Sequence, residues 1–169
     1  MQIYAIADLH LSLTSEKPMD VFGEAWRGHA EKLERNWRER VQDDDLVLIP
    51  GDISWAMQLS AALPDLSFIG NLPGKKILLK GNHDYWWSAI GRVRSLLPAG
   101  MRAIQNDAIV EDGIGICGTR GWLCPGSNNF SAEDQKIYLR ELDRLSLSLR
   151  ALPEVTTKIA MLHFPPFLD

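Results

Sequence analysis

The chain has 169 residues, 46% hydrophobic and 24% charged, with 18 Lys and Arg against 22 Asp and Glu and a formal net charge of −4. Those proportions belong to a folded domain and exclude disorder, collagen and coiled coil. A mildly acidic chain without a Lys/Arg block is a poor partner for nucleic acid. No apolar run approaches the ~20 residues of a membrane helix.

The opening run Ile3 to Ala7 reads as a strand and has no basic segment ahead of it, so no signal peptide is expected. A loop containing Pro18 follows. A helix of about sixteen residues is then predicted, with Trp26, Ala30, Leu33, Trp37 and Val41 on its buried stripe. Leu46 to Ile49 read as a second strand and Gln58 to Leu72 as a less regular helix. Pro73-Gly74 marks a turn before a third strand, Lys75 to Leu79. A helix from about Trp86 to Leu97 ends at Pro98 and Gly100.

From Met101 to Gly118 short β runs are separated by Asn106-Asp107 and Asp112-Gly113, both read as hairpin signals. A Gly/Asn/Ser-rich loop reaches Asn129. Ser131 with Asp134 three residues on resembles a capping box, and Tyr138, Leu142, Leu145, Leu149 and Leu152 form the expected buried stripe of the helix that follows. Pro153 stops it, and Ile159 to Leu162 form the last strand. The pattern predicts a single α/β domain with a mixed sheet. Two cysteines, Cys117 and Cys124, are too few for a disulfide scaffold, and a cytoplasmic location is expected.

Ligand-type residues follow one predicted strand after another: Asp8-Leu9-His10, Pro50-Gly51-Asp52, Gly81-Asn82-His83-Asp84 and His163. Ligands of open α/β sheets bind outside the carboxyl ends of the strands, so these residues are expected to converge. Carboxylate, amide and imidazole together suit borderline ions such as Mn²⁺, Fe or Zn²⁺ rather than Ca²⁺. Two such ions would serve an in-line displacement at phosphorus. Arg120, Trp86 and Trp122 are candidate substrate contacts, the alternatives being a solvated loop arginine and core anchors; Trp55, Tyr85 and Trp87 read as core.

These motifs, in this order, resemble those of the calcineurin-like metallophosphoesterases. Ile49 to Met57, Gly81 to Trp87, Gly118 to Trp122 and Met161 to Pro166 resemble a bacterial group of uncharacterised predicted phosphohydrolases within that superfamily. The resemblance implies a β-sandwich flanked by helices that acts on a phosphorylated small molecule or other phosphoester through two divalent metals and a bridging hydroxide. It implies Asp8 and His10 at the first metal, Asp52 shared, and Asn82 and His163 at the second. His83 would orient or protonate the phosphoester, with Asp84 holding its ring. The family pattern closes on a further Gly-His-x-His, which does not occur in these 169 residues. The chain is therefore expected to be a C-terminally truncated member. The competing expectation is a non-catalytic fragment or regulatory module that keeps the fold without a competent metal site.

Overall fold

The computed structural model describes residues 1–14, 17 and 19–167; Pro18 lies outside them. Two compact units divide the chain, 1–103 and 104–169, each with its own sheet.

The first unit runs β1 (Ile3–Ala5), α1 (His29–Arg40), β2 (Leu46–Ile49), α2 (Leu59–Gly70), β3 (Lys75–Leu78), α3 (Ile90–Leu96) and β4 (Met101–Ala103). Its four strands pair in sequence order, all parallel, with Ile3 opposite Leu46, Leu46 opposite Lys75 and Lys76 opposite Met101. Parallel strands covered on both faces are apolar throughout rather than alternating. Accordingly all of β2 is buried, and Ile77 and Leu78 of β3 are buried with it. Trp37 of α1 with Val41 just past it, Leu66 and Ile69 of α2 and Val93 of α3 close one core with Val47, Ile49 and Leu78.

Two helices are shorter than their apolar spacing predicts. Gly28 adopts a left-handed φ of 60° and Glu24–Trp26 form a 3₁₀ turn, so Trp26 falls outside α1. Trp86 and Trp87 precede α3 in a turn. The Asn106-Asp107 signal does not make a hairpin with β4, because β4 pairs with β3 instead.

The second unit holds β5 (Ile109–Glu111), β6 (Ile114–Thr119), α4 (Ala132–Arg150) and β7 (Thr157–Leu162). Here the Asp112-Gly113 hairpin forms. Both residues have positive φ, 48° and 81°, which a two-residue turn matched to strand twist demands. β7 adds in parallel on the other side of β6, so this sheet is mixed while the first is not. Ser131 caps α4 in a full capping box with Asp134.

The stripe of α4 is only partly covered: Tyr138, Leu145 and Leu152 are half-buried. Leu142 and Leu149 are 43% and 46% exposed, while the helix buries Glu141 and Ser148. Glu141 accepts from Thr119, Arg120 and Arg144; Ser148 donates to the Asp107 carbonyl and accepts the Gly118 N–H. Polar anchoring at these two positions turns the leucine stripe partly outward.

Candidate metal centre

The site grows from the ends of β1 and β2. Parallel pairing continues beyond both strands: Asp8 N–H donates to Gly51 O (3.1 Å), His10 N–H to Asp52 O (2.9 Å) and Leu11 N–H to Ile53 O (3.0 Å). The two motif loops are thereby held in register. Within them Asp8, His10 and Asp52 all sit at positive φ, 57°, 44° and 53°. Such backbone costs on the order of 1–3 kcal/mol per residue and persists where its surroundings over-determine it, most often at functional sites. Leu9, between the first two, is buried and anchors the loop.

This backbone brings one ligand atom each from Asp8, His10 and Asp52 within 4.8 Å of one another. His10 Nε2 lies 3.5 Å from Asp8 Oδ1 and 3.6 Å from Asp52 Oδ2. Those separations exceed a good hydrogen bond and leave two carboxylates converging, one of them only 3% exposed. Burial holds the His10 pKa below its ordinary value, against the pull of Asp52 and Asp8, which favours the neutral imidazole that ligates metals. Its other nitrogen, Nδ1, is buried with no hydrogen-bond partner among the described residues. The ring is oriented instead by stacking on Trp55, centroids 4.5 Å apart and planes 19° apart. Two carboxylates and an imidazole with Nε2 turned inward fit a divalent cation.

The loop after β3 closes around Asp52. His83 N–H donates to Asp52 Oδ1 at 2.8 Å, which fixes that carboxylate's rotation. Asn82 lies between this amide and Gly81, which abuts Asp52 so closely that a Cβ there would stand 2.1 Å from Oδ1. The His83 ring is half-buried, 5.8 Å from that of His10 and 5.0 Å from that of Trp55.

Asp84 does not hold the His83 ring. It is fully buried, and its carboxylate accepts the N–H groups of Asp52, Ile53, Ser54 and Gly81 and the Trp86 indole, at 2.8 to 3.2 Å. It ties the two metal-side loops together. Burial pushes its pKa above the ordinary carboxylate range, while the Gly81, Ile53 and Ser54 amides and the Trp86 indole pull it down. Trp86, 1% exposed, is a core anchor whose indole donates to Asp84.

Two further residues support the site. Trp55, assigned to the core, borders both His10 and His83. Asp65, buried inside α2, accepts from the Ser54 hydroxyl and the Leu13 amide and so braces the loop after Asp52. Trp55 lies three residues past Asp52, a proximity that offered a signal; Asp65 gave none.

In the second unit His163 directly follows β7; its N–H donates to Arg120 O at 3.1 Å and its ring meets Phe164 edge-on. Arg120 donates to buried Glu141 and lies over Trp122, and Trp122 donates to Asp134. Both residues thus attach α4 to the loop after β6.

A candidate ligand group at the carboxyl ends of parallel strands lies where α/β folds bind their ligands. The calcineurin-like phosphoesterase family model matches residues 1–168, and the chain belongs to that family. Among solved structures, a protein of unknown function from Aquifex aeolicus is similar at 20% identity and a TM-score of 0.51, over 84% of this chain and 72% of that one. The comparison with curated proteins gives no match. No helix among the described residues is long and apolar enough to cross a membrane, and both cysteines are free.

Proposed function

We propose that this chain hydrolyses phosphoesters at a centre of two divalent ions, Mn²⁺ foremost, in a reducing cytoplasm. The observation that carries the reading is the convergence of Asp8, His10 and Asp52, each on left-handed backbone. Three non-glycine residues on left-handed backbone within two adjoining loops are the kind of strain that persists at functional sites.

Asp8 and His10 would hold one ion and Asp52 would be shared; Asn82 and His163 keep the ligand roles that the family resemblance implies. When bound, the ions supply an activated water and neutralise charge on the phosphoryl oxygens. The rest falls to the chain. Trp55 keeps the His10 ring in plane, the His83 amide sets the Asp52 carboxylate, and Asp84 holds both loops at the spacing those contacts need. His83 passes a proton from its imidazole to the oxygen of the departing alcohol, the general-acid part of the reaction.

The test pairs Mn²⁺ titration calorimetry with hydrolysis of p-nitrophenyl phosphate, for the wild-type chain, Asp52→Asn and His163→Ala. Asp52→Asn is expected to abolish Mn²⁺ binding and to lower turnover beyond the ~10–100-fold typical of outer-shell changes. His163→Ala is expected to lower the Mn²⁺ stoichiometry. Unchanged hydrolysis by Asp52→Asn would overturn the mechanism. A folded wild-type chain that takes up no Mn²⁺ would favour a non-catalytic module.

A further inference from the structure

Three aromatic residues follow one another at 85–87, and the fold treats them differently. Trp86 and Trp87 are 1% and 5% exposed, whereas Tyr85 is 56% exposed. A lone exposed tyrosine needs no explanation, but the backbone beneath this one is fixed in place. Its N–H donates to His83 O at 2.8 Å, the Trp87 N–H to Asp84 O at 3.2 Å, and the Trp86 indole is bonded to Asp84. The backbone under Tyr85 is thus pinned between a buried carboxylate and two buried indoles, and its ring stays outside the core. There it meets the His83 ring edge-on, 6.2 Å between centroids at 82°.

Trp55 is the second aromatic neighbour of His83, 5.0 Å away and tilted by 57°. It is only half-buried, and its indole N–H is tethered to Met19 Sδ at 3.1 Å. The imidazole assigned to the leaving oxygen therefore has two aromatic rings as neighbours. Whatever is esterified to the phosphate must lie beside that imidazole, and so beside these rings. Oriented aromatic pairs gain interaction beyond the apolar area they cover, and immobilised rings lose little entropy in making them.

We propose that Trp55 and Tyr85 form a leaving-group subsite around His83 that selects phosphoesters of aromatic or heteroaromatic alcohols over aliphatic ones. The inference rests on the functional reading above, which puts the departing alcohol at His83. Trp55 has other duties, stacking on His10 and lying under the Lys17 ammonium at 5.2 Å, while Tyr85 is the ring left to the substrate.

The experiment measures, by calorimetry on the 169-residue chain in Mn²⁺, the affinities of benzylphosphonate and cyclohexylmethylphosphonate. Neither is hydrolysed, and they match in charge and closely in size, so the π face is the main difference. Wild type is expected to bind the benzyl compound about tenfold more tightly. Tyr85→Leu should cut that preference to about threefold, and Tyr85→Phe should keep it. Circular dichroism of Tyr85→Leu, a surface substitution, checks that the fold is intact. Equal affinities in wild type with Mn²⁺ bound, or a preference undiminished by Tyr85→Leu, would overturn the subsite and leave the phosphoesterase reading standing. Failure of the wild-type chain to bind Mn²⁺ would overturn the functional reading and this inference with it.

Discussion

Gly81 shows how little tolerance the centre has. A methyl group there would stand 2.1 Å from Asp52 Oδ1 and 2.3 Å from the Asp52 backbone nitrogen. The obstacle is partly backbone, so no rotamer change relieves it. Gly81→Ala is expected to lower Mn²⁺ affinity at least tenfold and to cost about 1–3 kcal/mol of stability from overpacking; calorimetry and thermal unfolding read the two effects. Asp84→Asn probes the same place differently. One oxygen of Asp84 serves Asp52 and Gly81, the other Ile53, Ser54 and Trp86. Whichever way the new amide sits, its NH₂ faces N–H donors. Removing one partner from a saturated buried carboxylate network costs about 2–5 kcal/mol, and urea denaturation should show a loss of that size. A loss below about 1 kcal/mol would mean that Asp84 is not the tie between the loops.

At the scale of elements, α4 makes two separable predictions. Its N-terminus depends on Ser131, and Ser131→Ala should cost about 1 kcal/mol in thermal unfolding. The Asp134 carboxyl is held below its ordinary pKa, first by the Ser131 hydroxyl, then by the Trp122 indole and the Ser131 amide. A depressed folded pKa means that the ionised form stabilises the fold. That contribution is complete above the unfolded pKa and disappears as the pH falls through the folded one. Acid unfolding of Asp134→Asn should therefore lack this component, with the difference from wild type shrinking as the pH drops. The helix body makes the opposite kind of prediction. Leu142 and Leu149 look like core positions from spacing, yet they are 43% and 46% exposed. Alanine at either should cost about 1 kcal/mol or less, against the ~2–5 kcal/mol of a buried leucine; denaturant titration separates the two. Spacing misled here because the docking face is polar: Glu141 and Ser148 bond to β6 and the segments at its ends, and periodicity counts only apolar residues.

Across the whole molecule, local chemistry was legible where a residue acts on its immediate neighbours. Leu46 to Ile49 read as a covered strand because a parallel sheet buries both of its faces. Asp112-Gly113 read as a hairpin because two positive φ values are open to few residues. The motifs ending β1, β2 and β3 announced a candidate metal centre because those residue types share a chemistry with cations. Pairing partners were less legible. The Asn106-Asp107 signal could not reveal that β4 is claimed by β3, since strand choice depends on residues more than twenty positions away.

The sequence by itself determined the family, the α/β class and the candidate ligands, because each rests on residue identity and short spacing. Only the tertiary structure decided what those residues touch. It moved Asp84 from the His83 ring to four backbone amides and an indole, made Trp86 a core anchor, and brought Trp55 and Tyr85 from the expected core to the edges of His83. The reason is that a carboxylate or an aromatic ring satisfies itself with whichever partners the chain folds around it. That choice is made by contacts between residues about thirty positions apart, which no local pattern records.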